Sequence, residues 1–406
     1  MNGLDSPPSQ QKSKHNFVVV LHRSAGSMRH SYLMVDEERR CLAPKVARLS
    51  WPRLQDLVDF RACVLNNCIY ITGGRLKGSR KYLRSVLKYD AHKNRWTECA
   101  EMKQKRGRHA CVALAGKVYV IGGCVSDAEV TDHVESYEPL LDEWTAEDKL
   151  PEPRVDLSAV VRDDVILTSG GSKCLGPHYA GTSTFWEMRR VLVSRKKSTE
   201  SVYMWHNVKN EDASNISLTH CVAHHNSALA RGKLYLLAGV TDRTNIADEA
   251  HKTSQETRLQ TKPAFCTSKI IQGFRFPKKR PPPKQKPKSK EKGGRHRGKK
   301  EPEVEPPPPP DPWVHRYPKM PEGRCSAGTV TVGNKIYLIG GHSAEDNDKT
   351  SINSVIYFHA KRETWENAFS LTERDFSDVE CHMLTVPTTN IDIRPFKYKD
   401  CKWVMW

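Results

Sequence analysis

The sequence predicts an all-β fold, a six-bladed propeller closed by a strand from the C-terminal end of the chain. Three observations predict it. A short apolar run followed by two glycines recurs along the chain. An aromatic residue stands seven or eight positions before a tryptophan in the second half of several copies. The two ends of the chain supply complementary parts of one blade. A period near 50 residues fits a four-stranded unit that cannot bury its faces alone and must stack against copies of itself.

Taken in chain order, the first copy is degenerate. Phe17-Val18-Val19-Val20-Leu21 leads to Ala25-Gly26, Val35-Asp36 fills the aromatic slot, and Leu42 stands where tryptophan is expected. The second copy is complete, with Ile69 to Thr72 before Gly73-Gly74, then Tyr89-Asp90 and Trp96. The third repeats it with Val118 to Ile121, Gly122-Gly123, Tyr137-Glu138 and Trp144. The fourth has Leu167-Thr168-Ser169 before Gly170-Gly171, and the fifth has Leu234 to Leu237 before Ala238-Gly239. The sixth carries Ile336 to Ile339, Gly340-Gly341, Tyr357-Phe358 and Trp365. Gly122 lies 49 residues after Gly73 and Gly170 lies 48 after Gly122, whereas the next two intervals are 68 and 102. Insertions are therefore expected in blade four, from Cys174 to about Asn215, and in blade five.

Each apolar run reads as a strand buried on both faces, which is why it does not alternate. The glycines permit a tight turn or close backbone approach, and the tryptophan covers the wedge between blades. The front copy lacks a first strand, and Phe376 to Val386 resembles one. Supplying it from the C-terminal end joins the ring and removes two sheet edges. The expected organisation is a disordered N-terminus at 1–16, a propeller at 17–387 and a tail at 388–406.

The charge is uneven. Of the net +18, the stretch Lys278 to Lys300 contributes +11, with twelve Lys/Arg against Glu291. With Pro306 to Pro310 it reads as a disordered, low-complexity insertion at 277–312, having almost nothing apolar to bury. Lys269 to Phe276 and Trp313 are expected to flank it as strands. Lys278, Lys279 and Arg280 are a nuclear-localisation candidate. The other readings are non-specific contact with acidic surfaces or RNA, docking of a proline-binding domain, or a tolerated solvated loop. Specific nucleic-acid binding is not expected.

No 18-residue apolar run is present, so no membrane-spanning helix is expected. The first fourteen residues lack the apolar core of a signal peptide. Twelve cysteines without CxxC spacing read as reduced thiols of a cytoplasmic or nuclear protein. His220-Cys221 with His224-His225 is the one local cluster of metal-type donors, and no second pair completes four ligands. No nucleotide loop, nucleophile elbow or HExxH motif occurs. No catalytic residues, no metal and no cofactor are expected.

The repeats around Gly73, Gly122 and Gly340 resemble the kelch propeller of the BTB-kelch (kelch-like) family, a resemblance that covers roughly residues 17 to 387. It implies a protein-binding propeller, the substrate-recognition module of a cullin-RING ubiquitin ligase adaptor. The alternative it leaves open is a stand-alone kelch scaffold or actin-associated binding protein. A BTB and a BACK domain are expected ahead of such a propeller, and sixteen residues precede Phe17. Cullin recruitment would then need a BTB domain supplied elsewhere. In a four-stranded blade the loop after the second strand and the loop into the next blade emerge on one face, the face that holds the substrate pocket in the resembling family. Arg75, Arg108, Arg154, Lys173, Arg243 and Arg324 are expected to share that rim. A guanidinium cluster suits an acidic peptide segment of a partner protein.

Overall fold

In a computed structural model, the chain is described over residues 14–24, 27–36, 38–48, 57–176, 179–195, 198–210, 214–242, 265–276, 312–314, 317–343, 351–371, 377–387 and 392–395. No α-helix occurs among these residues. The strands form six antiparallel blades. Blade 2 runs Arg61–Leu65, Cys68–Thr72, Val86–Asp90, Arg95–Cys99, and blade 3 runs Ala110–Leu114, Lys117–Ile121, Val134–Glu138, Glu143–Ala146. Blade 4 runs Ser158–Arg162, Val165–Ser169, Phe185–Arg195, Ser198–Asn207. Blade 5 runs Asn226–Ala230, Lys233–Leu237, Gln272–Arg275, Trp313–Val314, and blade 6 runs Gly328–Val332, Lys335–Ile339, Ser354–His359, Thr364–Ser370.

Blade 1 closes the ring. Its innermost strand is Ser377–Pro387, which pairs with Lys14–Ser24 in a register that sets Phe17 opposite Leu384 and Val19 opposite His382. Ser27–Asp36 and Cys41–Arg48 complete it. Two boundaries shift from expectation. The first strand starts at Lys14, inside the segment expected to be disordered. Asp392–Pro395, inside the expected tail, pairs with Cys41–Arg48 as a fifth strand.

The second strand of each blade is buried on both sides because it lies between two neighbours. Val18 and Val20 pack against blade 6 with Val330 and Tyr337, while Phe17, Val19 and Leu21 pack against blade 2 with Phe60 and Ile69. Alternate residues thus face opposite partners, and both faces must be apolar. The remaining junctions are built the same way, so the core is a ring of wedges rather than one centre.

The aromatic and the tryptophan of each repeat are cross-strand partners. Tyr89 pairs with Trp96, Tyr137 with Trp144 and Phe358 with Trp365, with ring centroids 5.0, 5.2 and 5.3 Å apart. Phe358, not Tyr357, therefore occupies the slot in blade 6. Val35 and Leu42 pair in blade 1. The stretched blades keep the pair across longer hairpins: Met188 faces Trp205 in blade 4, and Phe274 faces Trp313 in blade 5. Indole N–H groups then reach the preceding blade's exit segment, from Trp144 to the Ala100 carbonyl (2.8 Å) and from Trp365 to that of Pro318 (3.0 Å).

The paired glycines mark where neighbouring blades meet. Gly122 has φ +62°, and a Cβ there would lie 2.5 Å from the Arg154 carbonyl oxygen of the next blade. The following amide, Gly123, donates to that same carbonyl at 2.7 Å. Close approach thus requires glycine here.

Candidate functional site

The innermost strands line an axial channel, with a cavity of about 230 Å³ whose wall takes residues from all six blades. At one end, each of five innermost strands begins with a left-handed residue: Asp59, Arg108, Asp156, His224 and Ser326, with φ between +51° and +60°. The first four are chained around the mouth through backbone hydrogen bonds. Arg108 N donates to Asp59 O (2.8 Å), Asp156 N to Arg108 O (2.9 Å) and His224 N to Asp156 O (3.1 Å). Asp and His tolerate this backbone region better than most residues, whereas Arg108 enters it at a cost that its place in the chain of bonds helps to offset.

Two arginine–aspartate pairs are held at the mouth, each beside a tyrosine. Arg75 donates Nε to Asp59 Oδ2 (2.6 Å) and Nη1 to Ser79 O (2.9 Å), and lies 5.8 Å from the Tyr82 ring centroid. Arg108 forks onto Asp156, with Nε to Oδ1 at 2.9 Å and Nη2 to Oδ2, and lies 5.7 Å from the Tyr179 ring centroid. Tyr179 Oη donates to Asp156 Oδ2 (2.9 Å), and His224 Nε2 lies 3.0 Å from the same oxygen. Burial alone would raise the Asp156 pKa. The His224 and Arg108 charges and hydrogen bonds outweigh it, so the carboxyl sits well below the usual carboxylate range. Burial also works against the Arg108 charge, and Asp156 more than compensates, keeping the guanidinium firmly protonated.

Deeper in the channel stand Arg61, Glu380 and His382. Arg61 Nε is 3.5 Å from Glu380 Oε1, and His382 Nε2 is 3.7 Å from Glu380 Oε2. Burial pushes the Glu380 carboxyl up to about 7, with Arg61 opposing, and pushes the His382 imidazole down to about 4.

The expected rim residues divide into three groups. Arg75 and Arg108 are at the mouth, half-buried and paired with aspartates. Lys173 is exposed and bonds Glu152 at 3.0 Å. Arg154 and Arg324 depart from the expectation: both are 0% exposed. Arg108, 14 residues before Gly122, does not share their position in the repeat. Arg106, which stands 16 residues before Gly122 as Arg324 does before Gly340, is their counterpart and is equally buried. Arg106 Nη1 donates to the carbonyls of Gly122 (2.9 Å) and His133 (2.7 Å), and Arg324 Nη1 to those of Gly340 (3.2 Å) and Ser354 (3.1 Å). Their own carbonyls accept from Gly74 and Gly239 of the preceding blades (both 2.8 Å). These arginines staple blade to blade, because carbonyls buried by the glycine turns need donors. Arg154 sits at the equivalent junction of blades 3 and 4, held by Glu152, the Pro153 carbonyl and the Trp186 ring, 4.8 Å away. Arg243, Lys278, Lys279 and Arg280 lie outside the described residues.

The His/Cys cluster diverges instead of converging. His225 lies 2.8 Å from Ser169 Oγ inside a blade junction, His224 faces Asp156, and the His220 amide donates to Gln272 Oε1 (3.1 Å). Among the described residues no three His, Cys, Asp or Glu side chains are grouped to hold a metal ion. No helix among them is long and apolar enough to cross a membrane.

The left-handed ring was missed in the sequence, although its signal is there. Asp59, Arg108, Asp156, His224 and Ser326 each stand 14 residues before the first-glycine slot of their blade. The side-chain types differ so much that no pattern of chemistry draws the eye to them.

Comparison with known proteins agrees with this architecture. A family model for the Kelch motif matches residues 57–103, 105–151 and 323–368. Beta-scruin of Limulus polyphemus is 33% identical over 115 residues, 27% of this chain and 13% of the relative. Human Kelch-like protein 38 is 30% identical over 133 residues, 31% of this chain and 22% of the relative. Human Kelch-like protein 33 is 30% identical over 148 residues, 35% and 28%. The matched segments thus span between an eighth and about a quarter of these relatives' own length. A solved structure of YjhT superposes with a TM-score of 0.55 at 13% identity, over 86% of this chain and 96% of that one, which speaks for the fold alone.

Proposed function

We propose that this six-bladed propeller, three of whose blades match the Kelch motif, serves protein interaction, as the substrate-recognition module of a cullin-RING ubiquitin ligase adaptor of the BTB-kelch type. The carrying observation is the channel mouth. Its floor is fixed by the backbone chain from Asp59 to His224 and two arginine–aspartate pairs. Around it the loops present Leu76, Lys77, Arg80, Lys81, Lys105 and Lys173, all exposed. Arg80 is loosely tethered, 3.8 Å from Asp127, with its side chain 91% exposed. A rigid floor and exposed basic side chains suit an extended, acidic segment of a protein partner, with little ordering cost on the propeller's side. At the mouth the charged groups Arg75, Arg108, Asp59 and Asp156 are engaged with one another, which favours recognition over catalysis. We place the module in the cytoplasm or nucleus.

Depletion of the protein in cells, followed by quantitative proteomics of the partners it captures, tests the reading. A ligase substrate accumulates on depletion, and the accumulation disappears when cullin activity is already inhibited. Partners captured with unchanged abundance overturn the ligase assignment. They leave the second reading, a stand-alone kelch scaffold or actin-associated protein, which co-sedimentation with filamentous actin checks. That reading draws on the kelch segments the chain shares with beta-scruin as well as with kelch-like proteins.

A further inference from the structure

The channel wall holds polar groups that recognition at the mouth leaves unused. Arg61 opens the innermost strand of blade 2. Its counterparts at the same step of blades 3, 4 and 5 are Ala110, Ser158 and Asn226, all shorter, and all four line the cavity. Among the described residues the Arg61 guanidinium makes one hydrogen bond, from Nη1 to the Phe60 carbonyl (2.9 Å). The carboxyl it faces, Glu380, stays 3.5 Å from Nε, longer than a charge-assisted hydrogen bond. Two more atoms of the wall are buried without a hydrogen-bond partner, Thr329 Oγ1 from blade 6 and His382 Nε2 from blade 1. The innermost strands that carry these residues are neighbours around the axis. The other charges on the wall are matched at the mouth, Arg108 and His224 by Asp156 and Asp59 by Arg75.

We propose that the channel binds a short-chain monocarboxylate, its carboxylate seated against the Arg61 guanidinium and the Thr329 hydroxyl. A planar guanidinium fork matches a carboxylate, and one loosely paired positive charge matches one negative charge. A phosphate would bring a second charge that nothing on this wall neutralises, and burying it unpaired is costly. The apolar share of the wall, Ala62, Ala159 and Val379, takes the alkyl end. Glu380 sets the pH range. Burial holds its carboxyl in the acid form up to about pH 7, with Arg61 opposing. Below that pH it donates a hydrogen bond to the incoming carboxylate instead of repelling it. From blade 2 it is faced by Arg61, with Cys63 next but one on the same strand, and Cys111 of blade 3 lines the same cavity. On its own strand stand Cys381 and His382, the imidazole held neutral by burial, and Leu21 lies opposite on Lys14–Ser24. As pH rises through 7, Glu380 ionises, takes up the Arg61 charge and expels the ligand.

The test titrates the purified full chain with sodium propionate, ionised at both pH values used, and reads binding by saturation-transfer NMR. Binding is expected at pH 6 and should be about tenfold weaker at pH 8. The acid fraction of a group titrating at about 7 falls about tenfold across that interval. Glu380→Gln keeps a donor and cannot ionise, so its affinity should be the same at the two pH values. Arg61→Gln should lose propionate binding and Thr329→Val should weaken it several-fold, both with the circular-dichroism spectrum of wild type. Should Arg61→Gln fail to fold, the pH profile of Glu380→Gln decides. The proposal is overturned if wild type shows no propionate signal at pH 6, if folded Arg61→Gln still binds, or if the pH dependence persists in Glu380→Gln. Displacement of propionate by equal concentrations of chloride or inorganic phosphate overturns it too, by showing an unselective anion contact only.

Discussion

Arg106 and Arg324 occupy the same position in blades 3 and 6 and answer to different neighbours, which makes them a controlled pair. The Arg106 guanidinium meets Glu135, itself almost fully buried, whereas the partner of Arg324 is Glu322, which is half exposed. Removing Arg106 takes the counter-charge from a buried carboxylate, which keeps only the Lys103 and Gln104 amides, and strands two carbonyls, so Arg106→Ala should cost about 3–5 kcal/mol. Arg324→Ala strands chiefly the carbonyls and should cost about 1–3 kcal/mol. Urea unfolding of the two variants checks the order. Glu380 makes a second residue-scale prediction. Its carboxyl prefers its proton in the folded state up to about pH 7, while in the unfolded chain it ionises near the ordinary value. Folding stability is therefore lost as pH rises from about 4.5 to 7, and the full penalty persists above. Glu380→Gln removes that penalty and also leaves Arg61 without its carboxylate. A gain of about 1–3 kcal/mol at pH 8, shrinking towards zero at pH 5, is the expected outcome of denaturant melts. His382, held neutral by burial, works in the opposite sense: its stability is lost as pH falls from about 6.5 through 4.

At the scale of elements, the repeat was legible wherever its hairpins are short. A spacing of seven residues marks the aromatic–tryptophan pair because a short hairpin turn places those positions directly across from each other. Trp205 escaped that rule since the hairpin Phe185–Arg195/Ser198–Asn207 separates it from Met188 by 17 residues. Phe274 and Trp313 are separated by 39 and still pair, with ring centroids 5.1 Å apart. A hairpin can thus carry a long excursion without losing its register, since the pairing is fixed by burial in the wedge and not by the turn. Deletion of Lys278 to Pro310 should accordingly leave the thermal midpoint within a few degrees of wild type, loop length entering stability only logarithmically. A larger fall in a calorimetric scan would show that the tract packs on the propeller. If the tract directs the protein to the nucleus, the same deletion reduces nuclear accumulation by fluorescence microscopy.

On the scale of the whole molecule, ring closure and the partner face respond to different changes. Truncation before Ser377 removes the innermost strand of blade 1, uncovering the edge of Lys14–Ser24 and the apolar faces of Val18, Val20 and Phe60. Aggregation or loss of soluble protein in size-exclusion chromatography is the expected result. Charge reversal at the exposed Lys77, Lys105 and Lys173 should leave the circular-dichroism melt unchanged and weaken partner capture several-fold. Reversal at Arg154 and Arg324 should instead unfold the ring, because a carboxylate there would be buried against carbonyl oxygens. The sequence by itself determined the number of blades, their order, the insertions in blades four and five and the closure from the C-terminal end. Each of these follows from a local pattern, an apolar run before glycines, repeated at a measurable interval. Only the tertiary structure decided which basic residues face solvent. A shift of two residues, from Arg108 to Arg106, moves a guanidinium from the channel mouth to the interior of a blade junction. Nothing in composition or spacing records that difference, because it depends on which buried carbonyls in two neighbouring blades are left in need of a donor.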